Sequence, residues 1–365
     1  MNKTNKSPSR RVFIKEVVIN AAALSAVPIG LLGNKSISPD PLSKAEVPRL
    51  PLRIMMRSGV PDSFREKLMK ISPQISLIEN TQSAGEVNAW HGSISREQFI
   101  KAPNIKWVHS SSAGVENYLF PEMVNSDVIL TNSKGCFAPC MAEHAFALLF
   151  SLTRNLVVQN RNMLQGKWQG ATMESVFELK GMTMGIIGLG GIGSQVARRA
   201  RAMDMKVIAV DIVPKYKEQL GDLCDEIKLV QAGGLSWLIP RSDVIVLSAP
   251  HTKVSEGMFG PEQFGMMKKS AYFINVCRGK LVKTPALLDA LKSGKIAGAG
   301  LDVTDPEPLP SDHELWKLPN VIISAHMSGR SQFNPIRLAE VFVENVYRYV
   351  NELPMLNIVD KEMGF

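Results

Sequence analysis

Met184-Gly-Ile-Ile-Gly-Leu-Gly-Gly-Ile-Gly-Ser-Gln-Val-Ala-Arg-Arg199 is the stretch that decides the fold. Met184 to Ile187 is a short apolar run of the kind that forms a buried strand. The run breaks at Gly188-Leu-Gly190-Gly-Ile-Gly193 and resumes with helical spacing. In a strand–turn–helix of this form, Gly188 permits the tight turn and Gly190 lets the backbone approach a pyrophosphate. Gly193 lets the helix pack on the strand. The unpaired N–H groups of the new helix then face the phosphates. Met205-Lys-Val-Ile-Ala-Val-Asp211 supplies a second strand ending in an acid, 23 residues after Gly188, where a ribose-binding carboxylate belongs. The spacing predicts a dinucleotide site, and Asp211 predicts NAD over NADP, because a carboxylate would repel a 2′-phosphate.

Working outward, apolar strands end at Gly188, Asp211, Pro250, Arg278, Asp302 and His326. Helical stretches lie between them at 194–202, 235–238, 261–267 and 285–293. Six strands with crossovers make a doubly wound parallel sheet whose carboxyl ends share one edge. The cofactor face expected on that edge is Gly188, Gly190, Gly191, Ile192, Gly193 and Asp211. Later strand ends add Pro250, Ser255, Val276, Cys277, Arg278, Asp302 and His326. Upstream, strands are expected at 52–56, 75–78, 105–109 and 128–130, with helices at 61–71 and 96–101. Ser110–Val115 then sits at a strand's carboxyl end, where open α/β sheets bind ligands. A long apolar helix is expected over Met141–Val157, buried between domains. The last helix, Ile336–Leu353, cannot extend the second sheet and is expected to cross back to the first.

These readings divide the chain into residues 1–44 as signal and linker, 45–152 with 331–365 as a discontinuous, flavodoxin-like substrate domain, and 153–330 as a Rossmann domain. At 365 residues, with 45% hydrophobic and 21% charged content, the chain has ample material for two cores. Five of its eight net positive charges fall in residues 1–44, and no basic-aromatic cluster appears elsewhere, so nucleic acid is not an expected partner.

Ser9-Arg-Arg-Val-Phe-Ile-Lys15, followed by the apolar run Val17–Gly33, resembles a twin-arginine export signal. The run is broken by Asn20, Pro28 and Gly30 and is short for a membrane span. Export to the periplasm is expected, with processing between Ala26 and Ala45; an uncleaved anchor or a disordered basic tail is the alternative. Cys136 and Cys140 lack C-x-x-C spacing. A helix would bring them close enough to bridge, and buried free thiols are the other reading.

Hydride transfer is the natural chemistry for a nicotinamide on that edge. Arg278 can clamp a carboxylate through two parallel bonds. His326 can exchange the hydroxyl proton, since imidazole changes charge near neutrality. Glu307 could hold the other ring nitrogen. The remaining histidines (91, 109, 144, 251 and 313) show no metal-ligand spacing. Trp90 and His91 are expected either to line the pocket or to pack in the core, and Glu143 to form an ion pair.

Over residues 50–360 the chain resembles the D-isomer-specific 2-hydroxyacid dehydrogenases. Gly188–Gly193 with Asp211, Asn275-Val-Cys-Arg-Gly279, Gly298-Ala-Gly-Leu-Asp-Val303 with Glu307-Pro-Leu-Pro310, and Ser324-Ala-His326 carry the resemblance. Met141-Ala-Glu-His144 and Arg154-Asn-Leu also fit. The resemblance implies Arg278, Glu307 and His326 as the catalytic trio and Asp302 as a cofactor-side carboxylate. It further implies substrate-holding amides near Ala113 and Gly114, and a homodimer formed through Arg154–Trp168. Cys277, Lys283 and Ala325 depart from the pattern; none touches the trio, and oxidation of Cys277 near the cofactor is the minor reading beside an inert buried thiol. Formate dehydrogenation is disfavoured because the histidine's partner there is a glutamine. A nucleotide-binding sensor or scaffold with little turnover is the alternative from another class.

Overall fold

The computed structural model describes residues 50–56, 62–214 and 216–365. The proposed export signal lies outside the described residues.

The first sheet holds β1 (Leu52–Met56), β2 (Ile75–Ile78), β3 (Ala89–His91), β4 (Trp107–His109) and β5 (Ile129–Thr131), all parallel, in the order β2-β1-β3-β4-β5. This is the flavodoxin-like order, which places ligands beyond the strands' carboxyl ends. The second sheet holds β6 (Thr183–Ile187), β7 (Lys206–Asp211), β8 (Glu226–Leu229), β9 (Val244–Leu247), β10 (Tyr272–Asn275), β11 (Gly298–Leu301) and β12 (Val321–Ile323). Its order is β12-β11-β10-β9-β6-β7-β8, again parallel throughout. The chain reverses its direction of travel across the sheet between β6 and β9, and the glycine turn leaves β6 at that switch point. The two sheets are the parallel α/β architecture that the sequence predicts.

Strand β9, Val-Ile-Val-Leu, shows why this sheet is buried on both faces. Val244 and Val246 enter one hydrophobic core, and Ile245 and Leu247 the other. Successive side chains of a strand point to opposite faces, so an unbroken apolar run needs helices on both sides. Strand β8 was not expected. Its sequence, Glu-Ile-Lys-Leu, is half charged, as suits an edge strand protected against further pairing.

The long apolar helix runs Ala138–Thr153 rather than 141–157. Pro139 starts it early, because proline's fixed φ suits a first turn. Asn155 ends it in the left-handed region at φ 55°, and a second helix follows at Leu156–Leu164. The helix packs on the second sheet: Ala142, Ala145, Phe146, Leu148 and Leu149 share a core with Val244 and Ile274. Glu143 pairs with Arg199 at 3.0 Å.

The final helix, Asn334–Val350, returns to the first sheet. Phe342, Val346 and Tyr349 join Leu52, Ile54 and Trp107 in one core, with Trp107 stacked on both Phe342 and Tyr349. The chain then pairs Ile358 with Thr131 at the edge of β5. Trp90 is buried in this domain, and His91 packs between His109 and Phe342. These two residues are packing groups. All four cysteines are free thiols, so no bridge joins Cys136 and Cys140.

Candidate active site

The carboxyl edges of the two sheets face each other across an open cleft of about 1090 Å³, solvent included. Gly188, Gly190, Gly191, Ile192, Asp211, Pro250, Cys277 and Arg278 line one wall. Ala113, Gly114, Glu116 and Lys134 line the other.

Each glycine of the turn meets the requirement set by its spacing. Gly188 has φ +92°, open to glycine with little cost. A methyl group on Gly193 would sit 2.0 Å from the Gly188 carbonyl oxygen, whereas one on Gly190 would meet no protein atom within 4 Å. The loop is therefore closed beneath and open above, as a backbone that must approach a phosphate requires. Asp211, at the end of β7, accepts from the Leu189 N–H at 2.5 Å and from the Val213 N–H at 2.9 Å. Its carboxylate thus ties the glycine turn to the neighbouring strand while lining the cleft. These residues fit a dinucleotide.

Several residues expected on the cofactor face have structural contacts of their own. Gly193 packs under the loop. Val276 is wholly buried in the core, and the Ser255 hydroxyl closes its own turn by donating to the Pro250 carbonyl at 2.8 Å. Cys277 reaches the cleft wall but is only 4% exposed, and burial pushes its thiol up to about 12. Such a thiol is rarely ionised near neutrality and is a poor nucleophile or oxidation target, which favours the inert-thiol reading.

Asp302, at the end of β11, has a fully buried side chain. One oxygen accepts from the Ser324 hydroxyl at 2.6 Å and the Met327 N–H at 2.9 Å; the other accepts from the Ser328 N–H at 2.9 Å. Burial works to raise its pKa, but these bonds outweigh burial and hold the carboxyl below the usual range. His144, from the long apolar helix, braces the cluster through Ser324 at 2.7 Å. The His326 N–H donates to the Asp302 carbonyl at 2.8 Å. The cluster therefore clamps the loop on both sides of His326, which is held at φ +47°. That conformation costs a non-glycine residue roughly 1–2 kcal/mol, so it needs such support.

On this platform the His326 Nδ1 lies 2.5 Å from Glu307 Oε1, with both side chains close to half exposed. The ring is oriented and accessible. Its partner leaves Nε2 as the nitrogen available to a ligand.

Arg278 is placed separately, by β10. Its Nε donates to Glu116 Oε1 at 2.9 Å, and Nη1 donates to the Cys277 carbonyl at 2.8 Å. A methyl on Gly114 would lie 2.0 Å from Arg278 Nη2, so the guanidinium rests directly on the Gly114 backbone. The carbonyls of Ala113 and Gly114 are engaged by Asn132 Nδ2 at 2.8 Å and the Ser112 hydroxyl at 2.7 Å. Their N–H groups donate to no protein acceptor among the described residues. Two free amides beside a guanidinium suit a carboxylate.

Glu116 was missed from sequence. It stands two residues past Gly114, and that position was the available signal. Partial burial works to raise its pKa, but Arg278 outweighs burial and holds the carboxyl below its ordinary range.

Residues 146–328 match the family model described as D-isomer specific 2-hydroxyacid dehydrogenase, NAD binding domain. The chain is 36% identical over 276 residues to a glyoxylate reductase from Korarchaeum cryptofilum, covering 74% of this chain and 80% of the relative. This chain belongs to the D-isomer specific 2-hydroxyacid dehydrogenase family. It is 31% identical over 311 residues to a D-3-phosphoglycerate dehydrogenase from Archaeoglobus fulgidus, covering 85% of this chain and 55% of that longer relative. A solved family member from Aeromonas salmonicida superposes with a TM-score of 0.72 at 30% identity, covering 85% of this chain and 99% of that one. The glycine turn, Asp211 and the β9–β10 wall thus belong to a dehydrogenase's NAD-binding domain.

Proposed function

We propose that this dehydrogenase interconverts a D-2-hydroxy acid and its 2-keto acid, of the glyoxylate, hydroxypyruvate or phosphoglycerate type, with Arg278, Glu307 and His326 as its working residues. The observation that carries the reading is the 2.5 Å pairing of His326 with Glu307 on the same sheet edge as the glycine turn. Bound NAD supplies the two-electron acceptor or donor at carbon 2. Arg278, with the Ala113 and Gly114 amides, holds the carboxylate of the substrate and fixes which face of carbon 2 is presented. His326 Nε2 removes the hydroxyl proton in oxidation and returns it to the carbonyl oxygen in reduction. Glu307 keeps the ring's orientation and stabilises the positive charge it carries after proton uptake. No nucleophile is needed.

Asp211 supports NAD over NADP, since a 2′-phosphate would meet a carboxylate whose position is fixed by two amides. The deciding experiment follows NADH and NADPH oxidation with glyoxylate, hydroxypyruvate, pyruvate and bulkier keto acids. Turnover with NADH is expected. NADH binding without turnover of any keto acid would favour the sensor reading, and tighter use of NADPH would overturn the role of Asp211.

We further infer a homodimer and export by the twin-arginine route. The stretch after the long helix supports the first: Leu164, Trp168 and Met173 are 76%, 104% and 87% exposed. The residue pattern at 9–33 supports the second. That route carries folded proteins, so NAD would be loaded in the cytoplasm and retained. Fractionation of the native chain, with nucleotide extracted from the periplasmic pool, tests both points; an empty periplasmic protein would count against retention.

A further inference from the structure

The backbone amides beside Arg278 need a direction as well as a free N–H, and Asn132 is the side chain that grips their peptide. A trans peptide unit is planar, so the Ala113 carbonyl and the Gly114 N–H point in opposite directions. Asn132 Nδ2 donates to that carbonyl at 2.8 Å, and the Gly114 N–H therefore faces away from Asn132. That N–H meets no protein acceptor among the described residues. The Ser112 hydroxyl holds the next carbonyl, that of Gly114, at 2.7 Å.

Asn132 is itself held on every side. It stands one residue past β5 and is 3% exposed. Its Oδ1 accepts from the Lys134 N–H at 3.1 Å, closing a turn. A donor on one side and an acceptor on the other fix which way the side-chain amide faces. Its backbone is gripped by Asn357 of the C-terminal segment. The Asn132 N–H donates to the Asn357 carbonyl at 3.1 Å, and the Asn132 carbonyl accepts from Asn357 Nδ2 at 3.2 Å. Closing the turn uses Oδ1 alone. The Nδ2 bond reaches a loop 19 residues away that the turn does not need.

From this arrangement we propose that Asn132 is a positioning residue for the substrate carboxylate, acting through the Ala113 carbonyl to present the Gly114 N–H. The proposal rests on the dehydrogenase reading above and adds a residue to its substrate pocket. Arg278 brings charge to the carboxylate from β10, and the Gly114 amide brings a directed donor from the loop after β4. A carboxylate held by both has its plane fixed, which a single charge does not achieve. Asn357 holds the turn that carries Asn132 and acts on the substrate only through it.

Asn132→Ser separates aiming from folding in the full chain. A serine hydroxyl can accept from the N–H two residues on, as Ser110 does from Ser112 at 3.1 Å, but it is one atom too short to reach Ala113. The variant should therefore melt close to the wild type. Its KM for glyoxylate should rise by about tenfold or more, and the inhibition constant of oxamate, an unreactive carboxylate mimic, by the same factor. NADH affinity by fluorescence titration should not change. Asn357→Ala is the control: it should lower the thermal midpoint more and raise KM less. If the serine variant does not fold, Asn132→Asp decides, because it keeps the shape and the Oδ1 acceptor while setting an oxygen against the Ala113 carbonyl; oxamate should weaken there too. An unchanged oxamate constant in a folded variant, or a KM that rises in both positions only in step with lost stability, overturns the role of Asn132 while leaving the dehydrogenase intact. A wild type that turns over no 2-keto acid overturns both readings.

Discussion

Oε1 of Glu307 lies 2.5 Å from Nδ1 of His326, and the backbone carrying that ring is held in the left-handed region by Asp302 beneath it. Orientation and accessibility therefore come from different residues, and they can be separated. His326→Ala should lower kcat by about 10²–10⁴-fold, the range expected for a lost acid–base group, while NADH affinity by fluorescence titration changes little. Glu307→Gln keeps a hydrogen-bonding side chain but removes its charge, so its loss should be smaller than that of His326→Ala. Full turnover in His326→Ala would sink the assignment.

Two glycines of the cofactor turn should fail in opposite ways. Gly193→Ala places a methyl 2.0 Å from a backbone oxygen that cannot move without moving the turn, so the thermal midpoint should fall. Gly190→Ala meets no protein atom within 4 Å and should melt like the wild type. Its methyl occupies the space through which a pyrophosphate approaches, so NADH should bind about tenfold or more weakly. If Gly190→Ala bound NADH normally, the phosphates would have to lie elsewhere.

The glycine turn could be read from sequence because its constraints are local. Left-handed φ, open backbone and close packing each select glycine within six residues, whatever the rest of the chain does. Strands β6, β7, β9, β10, β11 and β12 were legible for a related reason, since burial on both faces demands unbroken apolar runs. Strand β8 was not, because Glu226 and Lys228 on this edge strand erase the apolar signal. Glu116 was missed, and the loop-clamping bonds of Asp302 were not foreseen, for a different reason. The partner of Glu116 lies 162 residues away, and Asp302 turns inward to bind amides of a loop more than 20 residues on. Sequence shows a carboxylate at a strand end but not which way it faces. Helix limits moved by a few residues wherever a proline or a left-handed asparagine set the terminus.

The exposed apolar stretch after the long helix leads to an expected assembly. Leu164 and Trp168 stand in solvent at 76% and 104% exposure, and burying an aromatic ring of this size can anchor an interface. Light scattering behind size exclusion should report a dimer. Leu164→Lys with Trp168→Lys should weaken it by about a hundredfold or more, leaving monomer at micromolar concentration. A monomeric wild type would remove the homodimer from the proposal.

The last expectation concerns acid stability and comes from outside the cleft. His91 and His109 are register partners on β3 and β4, stacked 5.7 Å apart and nearly parallel, with Phe342 of the returning helix against both. His109 is fully buried and bonded at Nδ1 to Thr131 Oγ1 at 2.8 Å. The Nδ1 of His91 is shielded from solvent with no partner among the described residues. Burial lowers His91 from 6.5 to about 4, and burial with the neighbouring ring pushes His109 well below its usual value. Both rings are thus neutral in the folded protein and protonate more readily when unfolded. Their contribution is complete above about pH 6.5 and is lost as pH falls toward 4. For His91 alone the loss is at most about 3.5 kcal/mol, at about 1.4 kcal/mol per pH unit. Carboxylates titrate at the lower end of this window, so the measurement is a difference: urea midpoints of wild type and His91→Phe between pH 7.5 and 5. The variant removes the titrating ring and keeps an aromatic against Phe342, so its stability should fall less steeply on acidification. Parallel curves would show that His91 accepts its proton in the folded protein as easily as in the unfolded chain.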